Sequence, residues 1–164
     1  MGNTNDKIKK ICNFYASDWH FAVMLLPYIN RQINEGIKIT TVFEKNMENN
    51  IEVLLGKLNL KNKDEILQIN WREKNDEEIK RNIEINLKDG EQNIFIINGN
   101  KDYIENMNSK IINYINERNS SNNLVKIIDC YEISDNKENV EEIIKNHDTI
   151  LNTSGEQEIE KISK

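Results

Sequence analysis

Aromatic and polar side chains recur where apolar, strand-like segments of the sequence end. The first segment ends at Tyr15, with Trp19 and His20 shortly after it, and later segments end near Arg72 and Tyr131. Open α/β sheets place their ligand crevice at the carboxyl ends of the strands, so these side chains are candidates for a binding site. The predicted ligand contacts are Tyr15, Trp19, His20, Arg72, Tyr131 and His147.

Two of these residues also have simpler structural interpretations. Trp19 is predicted chiefly to anchor the following helix to the sheet through its large apolar ring. The planar guanidinium group of Arg72 suits a carboxylate or phosphate group on a ligand. A local ion pair of Arg72 with Glu73 or Asp76 would use the same geometry, and both interpretations stay open.

Motifs for catalysis, metals and cofactors are absent from the sequence. No glycine stands in a GxxxxGK[ST] phosphate loop, and the segment 97–100 (INGN) has a single glycine, so it is interpreted as a turn. His20 and His147 are far apart, and no CxxC, HxxxH or HExxH spacing exists. Cys12 and Cys130 lie inside apolar runs and are predicted to be reduced and buried. We therefore expect no metal, no cofactor and no catalytic residue.

Strand-like and helix-like segments alternate along the chain, which predicts helices on both faces of a mostly parallel sheet. The fold class is thus a three-layer α/β/α sandwich, with one domain over 1–154 and a polar, fraying tail over 155–164. The segment 93–97 (NIFII) is predicted to be the middle strand. The predicted strands are 8–15, 37–43, 66–71, 93–97, 124–133 and 149–151. The helices lie between them, the first with Ser17 as its N-cap and Gly36 at its end, and a later one from 101 to about 118.

The charge of the chain bears on its partners. Asp and Glu total 28 against 22 Lys and Arg, which gives a net charge of −6 and a pI near 5.1. This balance opposes nonspecific attraction to phosphate backbones and anionic lipids, so we expect neither nucleic acid nor membrane as a partner. No stretch approaches the roughly 18 apolar residues of a membrane span, and no apolar signal core follows the first charges. A cytosolic location is expected.

The segments 10–15 (KICNFY) and 128–131 (IDCY), together with His147, resemble the MEDS domain, a sensory module of methanogens and methylotrophs. The opening segment 10–15 (KICNFY) resembles the family pattern of histidine, an apolar residue, cysteine, two apolar residues and tyrosine, with Lys10 in place of the histidine and a polar Asn13. The closing part has 128–131 (IDCY) and then His147 before a last strand. Asp148 stands where the family usually has proline, and the cysteine and tyrosine of the closing part are adjacent rather than separated by one residue.

The resemblance implies a RecA-like α/β/α domain that lacks a working phosphate loop. It further implies a sensor of small molecules, of the kind found in bacterial regulators. Cys12, Tyr15, Cys130 and His147 match the family pattern.

Three functions follow as hypotheses from the sequence. The first is a non-catalytic sensory or regulatory domain that binds a small ligand or a signalling protein at the carboxyl ends of the strands. The second is an enzyme with degenerate nucleotide-binding ancestry that uses His147 or Glu44 as acid or base. The third is a pure protein–protein interaction module. An oligomer is compatible with all three.

Overall fold

The computed structural model describes residues 8–87, 92–118 and 124–159 and has an α/β fold. The strands are β1 (Ile8–Tyr15), β2 (Lys38–Phe43), β3 (Gln92–Asn98), β4 (Leu124–Glu132), β5 (Thr149–Asn152) and β6 (Gly155–Glu158). The helices are α1 (Asp18–Asn34), α2 (Glu48–Gly56), α3 (Lys63–Gln68), α4 (Asp76–Asn86), α5 (Lys101–Arg118) and α6 (Val140–Lys145). Within these ranges, no helix has the length and apolar character needed to cross a bilayer.

The strands form one sheet in the order β2-β3-β4-β1-β5-β6. Every neighbouring pair is parallel except β5 and β6, which form an antiparallel hairpin at one edge. Helices connect the parallel strands, because parallel neighbours need a long crossover between them. The predicted α/β/α sandwich with a mostly parallel central sheet is confirmed.

The position of β3 differs from the prediction that it lies at the middle of the sheet. β3 is an interior strand, paired with β2 on one side and β4 on the other, but β4 and β1 are the central pair. A continuous apolar run indicates burial on both faces, and every interior strand of a parallel sheet shares that property. The run therefore predicted an interior strand but not its rank in the sheet.

Alternate side chains of the strands enter two separate hydrophobic cores. On one side, Ile11 of β1 packs in a core with Leu25 of α1, and helices α2 and α3 contribute to the same core. On the other side, Cys12 of β1 and Ile127 of β4 pack in a core with Ile111 of α5, and α4 and α6 contribute there. We call these two sides of the sheet the α1 face and the α5 face.

The first helix begins and ends where the sequence predicts. The Ser17 hydroxyl oxygen accepts a hydrogen bond from the backbone N–H of His20 at 3.1 Å, as an N-cap does. Gly36 follows the helix with a φ of 77°, a conformation that glycine adopts without steric cost. The chain then turns directly into β2.

Phe21, and not Trp19, anchors α1 to the sheet. Phe21 is 1% exposed, and its ring contacts the rings of Tyr15 in β1 and Phe43 in β2, with centroid distances of 4.9 and 6.1 Å. Trp19 is 44% exposed. The prediction for Trp19 is wrong because, of Trp19 and Phe21 in the first turn, only Phe21 faces the sheet.

Residues 66–71 do not form the predicted strand. The first part of this segment belongs to α3, and the chain beyond it meets β2 through a single bridge between Phe43 and Glu73. Trp71 is 1% exposed, and its indole N–H donates to the carbonyl oxygen of Ile66 at 2.9 Å. A short apolar run has the same composition whether it lies at the end of a buried helix or in a strand. The apolar periodicity of 66–71 therefore did not distinguish the two structures.

The chain after β5 is more ordered than the predicted fraying tail. Residues 155–158 form β6, with Gly155 at a φ of 102° in the turn. Glu156 of this strand forms ion pairs with Lys9 and, at 3.3 Å, with Lys126. The predicted tail is therefore wrong for 155–158, where polar residues pair as an edge strand, and its last part, 160–164, lies outside the described residues.

Candidate ligand-binding site

Four polar side chains form a cluster on the α5 face, at the centre of the sheet. We call it the Asp129 cluster, and its members are Lys10, Asn108, Asp129 and His147. The Asp129 side chain is 1% exposed and lies on β4, between β3 and β1. A buried carboxylate lowers the stability of a fold unless charged or hydrogen-bonding partners surround it. The partners of Asp129 therefore determine whether the fold tolerates a carboxylate at this position.

Asp129 receives three donors. One of its oxygens, Oδ2, accepts from the Lys10 ammonium at 2.6 Å and lies 2.7 Å from Nε2 of His147. The other, Oδ1, accepts from the Asn108 amide at 2.6 Å. Lys10 also donates to the amide oxygen of Asn108, whose amide nitrogen donates in addition to the Ile104 carbonyl oxygen at 3.0 Å. Both carboxylate oxygens are thus engaged, and the cluster is a closed network.

Three elements and the loop after α6 supply these side chains. Lys10 of β1 is paired in register with Ile127, two residues before Asp129 on β4, so both side chains point to the α5 face. Asn108 comes from α5, and His147 follows α6. The next residue, Asp148, fixes the position of His147, because its backbone N–H donates to the Lys10 carbonyl oxygen at 2.7 Å and its carboxylate accepts from the Lys10 N–H at 2.9 Å.

The His147 ring is held at both nitrogens. Nε2 faces the Asp129 carboxylate, and Nδ1 lies 2.5 Å from the carbonyl oxygen of Ile143. Both ring nitrogens are thus engaged by oxygen atoms of the protein itself. The His147 side chain is 4% exposed, so neither nitrogen is free to exchange a proton with a substrate in this arrangement.

A cavity of about 270 Å³ opens between α5 and α6 with the Asp129 cluster as its floor. Tyr131 forms part of the wall, with its ring edge-to-face with that of His147 at 6.4 Å. Burial raises the pKa of Tyr131, and the nearby Asp129 charge adds to the effect, so the phenol keeps its proton. The remaining lining residues are Lys101, Glu105, Ser109, Ile112, Glu142, Ile143 and Asn146.

A second group of polar side chains lies at the carboxyl ends of the strands. The Asn98 amide donates to the Tyr15 hydroxyl at 2.8 Å and to the Cys130 carbonyl oxygen at 3.2 Å. Burial raises the pKa of Tyr15 to about 12, so its hydroxyl is neutral at physiological pH. These contacts tie β3, β1 and β4 together at their ends.

The start of α5 at this rim is filled by the chain itself. The Glu44 carboxylate accepts from the backbone N–H of Asn100 at 2.9 Å and from its side-chain amide at 3.3 Å. A helix N-terminus favours an anion, and Glu44 supplies one internally. The turn at 98–100 therefore holds a carboxylate of the protein where an external anion would otherwise bind.

The six residues predicted to share one crevice lie on opposite faces of the sheet. Tyr15 points to the α1 face, where Trp19 and His20 occupy the first turn of α1. Tyr131 and His147 are on the α5 face, and the structure brings these two together. The sheet lies between the two groups.

His20 and Arg72, two further predicted ligand contacts, bind other residues of the protein on the α1 face. Nδ1 of His20 accepts from the Ala16 N–H at 2.9 Å, which makes it part of the turn into α1. Arg72 is exposed and pairs with Glu48 at 2.5 Å, rather than with either of the acidic neighbours proposed from the sequence. This ion pair lowers the pKa of Glu48 and raises that of Arg72.

The two cysteines are free and buried, as predicted. Burial raises the pKa of Cys12 to about 12 and that of Cys130 well above its ordinary value. Both thiols are therefore protonated and poor nucleophiles. In the described parts of the chain, no three His, Cys, Asp or Glu side chains are grouped as a metal site would require.

Sequence reasoning did not select Lys10, Asn108 or Asp129 as site residues. One signal was available, since Asp129 is an acidic residue inside the apolar strand 124–132 (LVKIIDCYE). A charged residue in a strand that is covered on both faces requires buried partners. No protein-family model, curated protein or solved structure matches the chain, so the geometry of the site carries the functional argument.

Proposed function

We propose that this domain is a non-catalytic sensory or regulatory module that binds a small polar ligand in the cavity above the Asp129 cluster. The observation that carries the proposal is a closed network of charged and amide groups that forms the floor of an accessible cavity. Small-molecule sites typically combine an apolar wall with a few fixed polar groups. Here Tyr131, Ile112 and Ile143 supply apolar surface, and the cluster supplies the polar groups.

The size of the cavity limits the ligand. At about 270 Å³ it is near the lower end of the roughly 300 to 1,000 Å³ that ligand pockets span. A metabolite with few non-hydrogen atoms fits this volume better than a nucleotide does. One ammonium proton of Lys10 has no acceptor in the network, and it is the group best placed to contact a ligand oxygen.

The alternative of an enzyme that uses His147 or Glu44 has weaker support. His147 has an acceptor at each ring nitrogen, and the Glu44 carboxylate is engaged at the start of α5. General acid–base catalysis requires a group within reach of the substrate proton and free to exchange it. Neither side chain meets that requirement without rearrangement, whereas binding requires none.

The resemblance to MEDS domains agrees with a sensory function. Lys10, which stands at the position of the family's histidine, and His147, which matches the family pattern, both contact Asp129. Two positions at opposite ends of the resemblance thus meet at one carboxylate. We extend the proposal accordingly to a cytosolic regulator that transmits ligand binding to a signalling partner.

Ligand screening by NMR tests the proposal. Small carboxylates, amines, sugars, nucleotides and short hydrocarbons are added one at a time to ¹⁵N-labelled protein. A ligand of this site is expected to shift the amide signals of Ser109 and Asn146, which line the cavity. At 100 times its dissociation constant it should add about 2.7 kcal/mol to the unfolding free energy.

Two variants identify the site of binding. Ser109→Trp places a large side chain at the cavity wall and should abolish the shifts, while Asn113→Trp, at an exposed position of the same helix outside the cavity, should retain them. Equal binding to wild type and Ser109→Trp would place the ligand elsewhere and contradict the proposal. A panel with no binder would also count against it.

A further inference from the structure

A second cavity, of about 310 Å³, borders the outer edge of β2. Strand β2 is an edge strand, and the segment after α3 runs beside it to the start of α4. The walls carry mostly amide and hydroxyl groups. These groups belong to Thr40, Thr41, Gln68, Asn70, Asn82 and Asn86.

Lys74 is the only basic side chain that lines this cavity among the described residues. Its ammonium donates to the carbonyl oxygen of Thr41, on the edge of β2, at 2.8 Å. In the described parts of the chain Lys74 forms no salt bridge, although Glu65 of α3 lines the same cavity and Glu78 of α4 lies near enough to act on its charge. A partly buried lysine that rests on one neutral acceptor is poorly compensated as a cation.

The protonation of Lys74 follows from this environment. Burial lowers its pKa to about 8, and the opposing effect of Glu78 is smaller. With that pKa about a quarter of the amine is neutral at pH 7.5, against about one in a thousand for a lysine of ordinary pKa. The neutral amine still has a hydrogen to donate to Thr41, which leaves its lone pair available to the cavity.

We propose that Lys74 is the preferred site at which small aldehydes modify this protein, through attack of its side-chain amine on a carbonyl compound held in the amide-lined cavity. The amine nitrogen forms a bond to the carbonyl carbon, and proton transfer from nitrogen to oxygen gives a carbinolamine. Loss of water then gives an imine, so the step needs no oxidant or reductant. Lysines activated by desolvation form Schiff bases in this way. The proposal is independent of the site above Asp129, which lies between α5 and α6.

Reductive trapping tests the assignment. The protein is treated with glyoxylate and sodium cyanoborohydride at pH 7.5, digested with a glutamate-specific protease, and analysed by mass spectrometry over time. Lys74 should be labelled about tenfold faster than the exposed Lys61. The neutral fraction of Lys74 exceeds that of a lysine of ordinary pKa by more than tenfold. A less basic amine is also a weaker nucleophile, so the expected gain in labelling rate is smaller than the gain in neutral fraction. Equal or slower labelling of Lys74 would overturn the proposal.

A variant pair separates the effect of the cavity from a local structural change. Asn82→Asp places a carboxylate in the cavity wall, which should favour the ammonium form and slow labelling of Lys74 several-fold while Lys61 is unchanged. Asn113→Asp, outside the cavity, should leave both rates as in the wild type. If Asn82→Asp has no effect on Lys74 in a protein with an unchanged circular dichroism spectrum, the cavity does not control its reactivity and the proposal fails.

Discussion

Replacing Asp129 by asparagine should remove about 3 kcal/mol from the unfolding free energy. The substitution keeps the size of the side chain but deletes the negative charge between Lys10 and His147. Breaking a buried ion pair by removing one partner costs about 3 to 5 kcal/mol, and the Lys10 side chain, 20% exposed, recovers part of this through water. Domains typically have about 5 to 15 kcal/mol in total, so the loss is large.

Urea unfolding followed by circular dichroism measures this effect, with Asp135→Asn as the control. Asp135 is exposed in the turn after β4, so its loss should change stability by less than about 0.5 kcal/mol. The loss of unfolding free energy in the double variant Asp129→Asn/Lys10→Met should be smaller than the sum of the two single losses by about 1 to 3 kcal/mol. The reason is that the double variant also removes the unpaired ammonium group. A loss below about 1 kcal/mol for Asp129→Asn, or additive effects, would refute the closed network.

Three further predictions concern packing and pH. Gly99→Ala should destabilise the protein by about 1 to 3 kcal/mol, since a Cβ atom would lie 2.6 Å from the Tyr103 ring. Gly56→Ala should stabilise the protein slightly, because there is open space around Gly56. Equal urea midpoints for the two variants would contradict this. Phe21→Ala should lower the unfolding free energy by about 3 to 5 kcal/mol and Trp19→Ala by under about 1 kcal/mol. A lower midpoint of thermal unfolding for Trp19→Ala than for Phe21→Ala would restore Trp19 as the anchor. Lys74 has a folded pKa of about 8, below its unfolded value of 10.5, so it binds fewer protons in the folded state. The unfolding free energy of the wild type relative to that of Lys74→Met should therefore rise between about pH 8 and 10. A difference in unfolding free energy that stays constant over this pH range in urea unfolding would contradict the lowered pKa.

The features of the fold that depend on local sequence were predictable. The boundaries of β1 and α5 agree with the prediction, because the first is followed by a capping serine and the second has a regular apolar spacing. The failures, at 66–71 and 155–158, are short segments whose structure depends on what they pack against. A polar four-residue segment forms β6 only because β5 offers it an edge and Lys9 and Lys126 bind its glutamate.

The candidate site was harder to predict because it depends on strand register. Tyr15 and Tyr131 both lie near strand ends, and sequence reasoning placed them in one crevice. In the parallel register of β1 and β4, however, Tyr15 is paired with Glu132 and Phe14 with Tyr131. This offset of one residue sends the two tyrosines to opposite faces of the sheet. No local pattern in the sequence encodes such an offset, so proximity along the sheet edge did not imply a shared pocket.

The Asp129 cluster shows which part of a site a sequence can reveal. An aspartate inside an apolar interior strand requires partners, and that requirement follows from the residue type and its apolar neighbours in the chain alone. The identity of the partners does not, because Lys10, Asn108 and His147 come from three other segments of the chain. Lys10 reaches Asp129 because β1 lies beside β4 with the same face orientation, which is a consequence of sheet order. A buried charge therefore indicates where to search for a site, while the topology determines what the site contains.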